Sequence, residues 1–186
     1  WRERNEELAA EGFRMLALTT GETLGEKFVR LGLPRIDLPA GYQPRAALGF
    51  SFVPLVLLFH RLELSTYGPD DFNDLADFLD ERVFELALQV PSDDNAAKQL
   101  AMQLYGRLTI IYSGPEETGA AALRFKGQIC ENAKTLAFVN HFPEFNHNEL
   151  VGWKVIKAFR DYLRVIVIRD ADDNPRVAAR MDIVRQ

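Results

Sequence analysis

At 186 residues the chain has room for one sizeable domain or two small ones, and its 47% hydrophobic content is ample for a core. A formal charge of -5 leaves no basic footprint for nucleic acid. The lone Cys130 excludes an internal disulfide framework and fits a reducing cytoplasm.

Residues 1–7 are charged and lack an apolar centre, so no signal peptide is expected. Residues 2–11, rich in Glu, Arg and Ala, predict a helix stopped by Gly12. Residues 13–18 read as a buried strand with a Thr19-Thr20-Gly21 turn, 21–31 as a helix, and 34–38 as a second strand broken by Pro39. Strands alternating with helices imply parallel sheets covered on both faces, with ligands bound beyond the carboxyl ends of the strands. Gly41–Arg45 falls at such an end. There Arg45, at the mouth of the apolar segment 46–59, reads either as an ion-pair partner or as an anion contact. The run 48–59 is too short to cross a bilayer and is interrupted by Pro54, so it predicts a buried helix. Between 60 and 89 the chain reads as a helical connector, with Asp70-Asp71 capping a helix that begins near Phe72.

A turn and N-cap cluster, Pro91-Ser92-Asp93-Asp94-Asn95, opens the second half. It is followed by a helix over 95–104, a strand over 108–112, and a Ser113-Gly114-Pro115 turn. That turn suits either an ordinary strand-to-helix junction or a loop whose backbone amides receive an anion. A helix over 119–134 leads to a strand over 135–139, then to a polar loop carrying the tetrad Asn146-His147-Asn148-Glu149 and on into a further helix. The tetrad pairs a carboxylate with an imidazole, as proton transfer near neutral pH requires; alternatively an asparagine caps a helix beside a surface histidine. Residues 163–168 predict a third strand of the second sheet, 169–175 a loop, and 176–186 a helix with three arginines.

Three segments carry a resemblance: GYQPRAALGFSF at 41–52, GQICENAK at 127–134 and FPEFNHNELVGW at 142–153. Together they resemble the signatures of the bifunctional phosphoglucose/phosphomannose isomerases, a branch of the sugar-isomerase (SIS) superfamily. The similarity runs from about Glu7 to Arg180, with the motifs in the family's order. Cys130 departs from it, standing where the family typically has asparagine.

The resemblance implies an α/β fold with two SIS-type parallel sheets in three-layer α/β/α form. Residues 1–62 would be the end of a first SIS domain, 63–92 a helical connector, and 93–186 a second SIS domain. Both sheets are expected to be cut short, because a SGNTEET-type phosphate loop would precede Trp1 and an active-site lysine would follow Gln186. On that expectation the chain alone is an inactive fragment. The implied reaction interconverts glucose 6-phosphate, and mannose 6-phosphate, with fructose 6-phosphate through an enediolate, with no metal and no organic cofactor. Glu131 is the implied base, His147 opens the ring, and Arg45 stabilises the enediolate. Gln43, Pro44, Ser113, Gly114, Lys126 and Asn146 are implied to touch substrate. Arg45, Arg124, Lys126 and Lys134 are the candidate cations for its phosphate. The histidine would come from a neighbouring subunit of a cytoplasmic homodimer that binds neither nucleic acid nor membrane. A non-catalytic SIS module that binds phosphosugar in a regulatory role is the alternative; it would need neither the base nor the ring-opening acid.

Overall fold

The computed structural model describes residues 4–185, so the expected helical residues 2, 3 and 186 lie outside the described residues. Two units separate within the chain, one up to Glu81 and one from Arg82 onward.

In the first unit, α1 (Arg4–Ala10) precedes β1 (Ala17–Thr19), α2 (Glu22–Arg30) and β2 (Arg35–Asp37). The two strands pair in parallel, Leu18 opposite Ile36, with α2 as the crossover that a parallel pair requires. Only three residues of the expected strand 13–18 and its following turn join the ladder. Ala17, Phe28 and the Lys27 stem are buried, and the Lys27 ammonium reaches Glu6 at 3.1 Å.

Two expectations here are corrected. α3 (Leu48–Arg61) forms, Pro54 included, but it is not buried: none of its residues is fully enclosed, and Phe52 is 49% exposed. Its sequence is apolar around the whole circumference, and such a helix needs cover on every side. Two three-residue strands do not supply that cover. α4 (Pro69–Glu85) begins three residues before Phe72. Pro69 presets the first helical φ, and the Gly68 N–H donates to Asp71 Oδ2 at 2.7 Å, as the reciprocal half of a capping box does.

The second unit contains α5 (Ala96–Leu104), β3 (Leu108–Ser113), α6 (Glu117–Gln128), β4 (Ala137–His141), α7 (Glu144–Asn148), β5 (Leu163–Val167) and α8 (Pro175–Val184). Asn95 caps α5 by accepting from the Lys98 N–H at 3.0 Å. The three strands are parallel in the order β4-β3-β5, as expected of an α/β sheet. β3 is central, and Thr109, Ile111, Tyr112 and Ser113 on it are almost wholly buried. Tyr112, Phe142, Phe145, Val177 and Met181 form the core between this strand, α7 and α8.

Two local expectations shift. The predicted helix 119–134 ends as α6 followed by a π-helical turn, Ile129–Ala133, and Lys134 closes it with φ of 55°. This pushes β4 two residues beyond the strand predicted at 135–139. The polar tetrad does not lead into a helix: Asn146, His147 and Asn148 lie inside the short α7, neither asparagine caps a helix, and 3-10 turns at Gly152–Lys154 and Lys157–Tyr162 follow.

Candidate functional site

The sheet of the second unit sorts the candidate residues by its two ends. Ser113, the last residue of β3, pairs in register with His141, the last of β4. The Ser113 side chain is fully buried; its hydroxyl donates to the Gly114 carbonyl at 2.9 Å and lies 2.9 Å from Nδ1 of His141. Gly114 is enclosed: a Cβ there would meet Thr118 Oγ1 at 2.9 Å and Asp173 Oδ1 at 3.1 Å.

Just beyond the same end lies α7. Phe145 turns inward and is 1% exposed, stacking against Tyr112 and Phe142. Asn146 Oδ1 is buried without a hydrogen-bond partner among the described residues, while His147 is exposed. Glu149, directly after the helix, accepts from the Tyr112 hydroxyl and from Asn140 Nδ2, each at 2.7 Å. Trp153 Nε1 donates to the same Tyr112 oxygen at 3.0 Å, and Asn140 Nδ2 also reaches Asn148 Oδ1 at 3.1 Å. Burial first, and then the bond to Glu149, hold the Tyr112 phenol above its ordinary value of 10.0, with Trp153 opposing.

At the opposite end of the sheet stands Glu131, exposed on the π-helical turn, one turn beyond half-buried Lys126. Asn132 Nδ2 donates to Gln128 Oε1 at 2.5 Å and braces this turn. A cleft of about 770 Å³ adjoins it, walled mainly by apolar groups such as Leu100, Leu104, Phe125, Ile129 and Leu136. Glu131 precedes β4 and His147 follows it, so the length of that strand lies between them, roughly 16 Å at the usual rise of about 3.3 Å per residue. The fold therefore brings Ser113, Gly114, Asn146 and His147 to one end and Lys126 and Glu131 to the other. In the first unit, Gln43 precedes a 3-10 turn at Pro44–Ala46; Gln43 and Pro44 are exposed and Arg45 is half-buried.

His141 and the links from Tyr112, Asn140 and Trp153 were not singled out from the sequence; Glu149 was, as the tetrad's carboxylate beside His147, but its two oxygens are taken by Tyr112 and Asn140 while His147 is exposed. The predicted end of β4 at Val139 left His141 outside the strand, and the network joins residues far apart in the chain. Among the described residues no group of acidic, His or Cys side chains is arranged to hold a metal, and no helix is long and apolar enough to cross a membrane.

Residues 93–186 match the family described as the bacterial phospho-glucose isomerase C-terminal SIS domain. The chain is 40% identical over 176 residues to a bifunctional phosphoglucose/phosphomannose isomerase of Caldicellulosiruptor bescii, covering 95% of this chain and 52% of that protein. A protein of the same name from Aquifex aeolicus is 31% identical over 181 residues, covering 97% and 52%. A D-glucosamine-6-phosphate 4-epimerase of Sulfolobus acidocaldarius is 30% identical over 136 residues, covering 73% and 40%. The chain thus spans about half the length of the curated relatives it matches. A solved glucose-6-phosphate isomerase like protein from Thermus thermophilus shares the fold, with a TM-score of 0.55 at 21% identity, covering 90% of this chain and 60% of that one.

Proposed function

Since the chain belongs to the bacterial phospho-glucose isomerase C-terminal SIS domain family, we propose that the protein carrying it is an aldose–ketose isomerase of hexose 6-phosphates. It interconverts glucose 6-phosphate, and mannose 6-phosphate, with fructose 6-phosphate. The observation that carries this reading is Glu131: an exposed carboxylate inside the matched region, held on a π-helical turn of the kind frequently found at functional sites.

Glu131 removes the proton from C2 of the open-chain aldose, and the electron pair moves to give the enediolate. The same carboxylic acid returns the proton to C1 while the O2 hydroxyl proton passes to O1, so atoms balance without a metal or organic cofactor. His147 donates and accepts the ring proton in opening the cyclic sugar, and Arg45 stabilises the charge on the enediolate oxygens. On this reading Lys126 contacts the substrate from the Glu131 side, Ser113, Gly114 and Asn146 from the His147 side of the other copy, and Gln43 and Pro44 accompany Arg45; Ser113 acts through the loop it buttresses, because its own side chain is enclosed. The separation of Glu131 and His147 across the sheet supports a homodimer in which each copy completes the other's site. A lone Cys130 fits a cytoplasmic enzyme of glycolysis and gluconeogenesis.

The test is Glu131→Gln in the intact protein. Isomerisation should fall on the order of a hundredfold or more while fructose 6-phosphate binding, measured by calorimetry, changes little. Turnover within about tenfold of the parent removes Glu131 from the mechanism.

A further inference from the structure

The short helix α7 is held at two points, and His147 lies midway between them. Phe145 on one side is locked into the core by its contacts with Tyr112 and Phe142. Glu149 on the other is gripped by two 2.7 Å hydrogen bonds, from β3 through Tyr112 and from β4 through Asn140. Phe145 and Glu149 are four residues apart, the spacing that places side chains on one helix face. At about 100° per residue, the residue midway between them points roughly 160–200° away from that face. Anchoring both ends inward therefore turns the His147 imidazole outward, and it is exposed.

We infer that Glu149 is a positioning residue, which clamps α7 to the ends of β3 and β4 so that His147 is presented outward at a fixed angle to the substrate held by a second copy. The inference rests on the isomerase reading above. Three features single out Glu149. Both its carboxylate oxygens are engaged, each by a different strand. The donor from β3 is a nearly buried phenol that also receives Trp153 Nε1. The donor from β4, Asn140, accepts with its own oxygen from the His141 N–H at 2.8 Å, so its amide is fixed in orientation. Charge-assisted bonds of this length are the stronger kind.

The experiment is a double-variant cycle in the intact protein, with fructose 6-phosphate as substrate. Glu149→Gln keeps the shape but turns one acceptor into a donor, which must face either Asn140 or Tyr112. It should lower kcat about tenfold with KM within about twofold, as loss of catalytic alignment does. In a His147→Ala background the same substitution should change kcat by less than about twofold, because the group it aims is already gone. An equal loss in both backgrounds, or no loss in either, overturns the inference. If Glu149→Gln does not fold, Tyr112→Phe replaces it in the cycle, since it removes the donor to Glu149, together with the acceptor for Trp153 Nε1, and keeps the ring; the same two outcomes decide. A His147→Ala variant that turns over normally overturns instead the ring-opening role assigned to His147 under the isomerase reading, and the positioning role falls with it.

Discussion

Replacing Gly114 by alanine isolates the close packing where β3 hands over to α6. Gly114 does not have a left-handed φ, so alanine meets no backbone penalty and the effect is one of space alone. The new methyl would lie 2.9 Å from Thr118 Oγ1 and 3.1 Å from Asp173 Oδ1. Neither neighbour yields freely. Thr118 is 7% exposed and branched at Cβ, so its rotamers are few. The other oxygen of Asp173 accepts from the Asp170 N–H at 3.0 Å and ties the carboxylate to its loop. Overpacking of this kind costs about 1–3 kcal/mol. Urea titration of Gly114→Ala should show that loss, with an unchanged m-value. Gly152→Ala is the control, because a Cβ there meets nothing within 4 Å; its effect should stay within about 0.5 kcal/mol. Thr118→Ala removes the nearer of the two contacts, so the double variant should lose less than the sum of the singles. Gly114→Ala as stable as Gly152→Ala would show that the loop has slack and that glycine is not required for close approach.

Two further predictions bear on the site. Mixed dimers prepared by refolding Glu131→Gln with His147→Ala should regain roughly a quarter of parental turnover, since half the dimers are mixed and each has one complete two-copy site; a mixture as inactive as its components refutes the shared site. The raised phenol pKa of Tyr112 means that the folded chain favours the neutral form, so this contribution is intact below the ordinary value of 10.0 and is lost as pH climbs through the raised one. Stability measured by urea from about pH 9 to 11.5 should therefore fall more steeply in the parent than in Tyr112→Phe, and equal slopes would refute the assignment.

The parts of the fold that could be read from the sequence are those in which one local signal settles the outcome. β3 is a run of Leu, Thr, Ile, Ile and Tyr bounded by Gly106 and Gly114, and it forms the central strand. Asn95 precedes a helical pattern and caps it. The misplaced elements lack such a signal. Nothing in ICENA marks the change to π-helical bonding, and that change carries the chain past Thr135 and Leu136 before β4 begins. The tetrad resembled a loop because a five-residue helix has too little periodicity to register, and it is stabilised by Phe145 in the core rather than by a cap. α3 misled for the opposite reason, because an apolar run reports a demand for cover and not whether cover is present. Of the candidate site, Glu131 and His147 stood out as chemistry in motifs, whereas Ser113 with His141, and Glu149 with Tyr112, are pairs made only by tertiary packing.

The sorting of the candidates between the two ends of the sheet follows from chain order alone. In a parallel sheet every strand runs the same way, so whatever follows a helix begins at the amino end and whatever follows a strand begins at the carboxyl end. Glu131 comes after α6 and before β4; His147 comes after β4. Their nearness in sequence is therefore misleading, because the length of β4 intervenes between them. The shared site proposed above lets both act on one sugar phosphate by taking them from different copies of the chain. The short helix that presents His147 must then be held rigidly from behind, since its target is not part of the molecule that carries it. The Glu149 clamp supplies that rigidity through bonds to two strands, which is why the mixed-dimer experiment and the Glu149–His147 cycle probe successive steps of one arrangement: the first asks whether the site is shared, the second how the histidine is aimed across it.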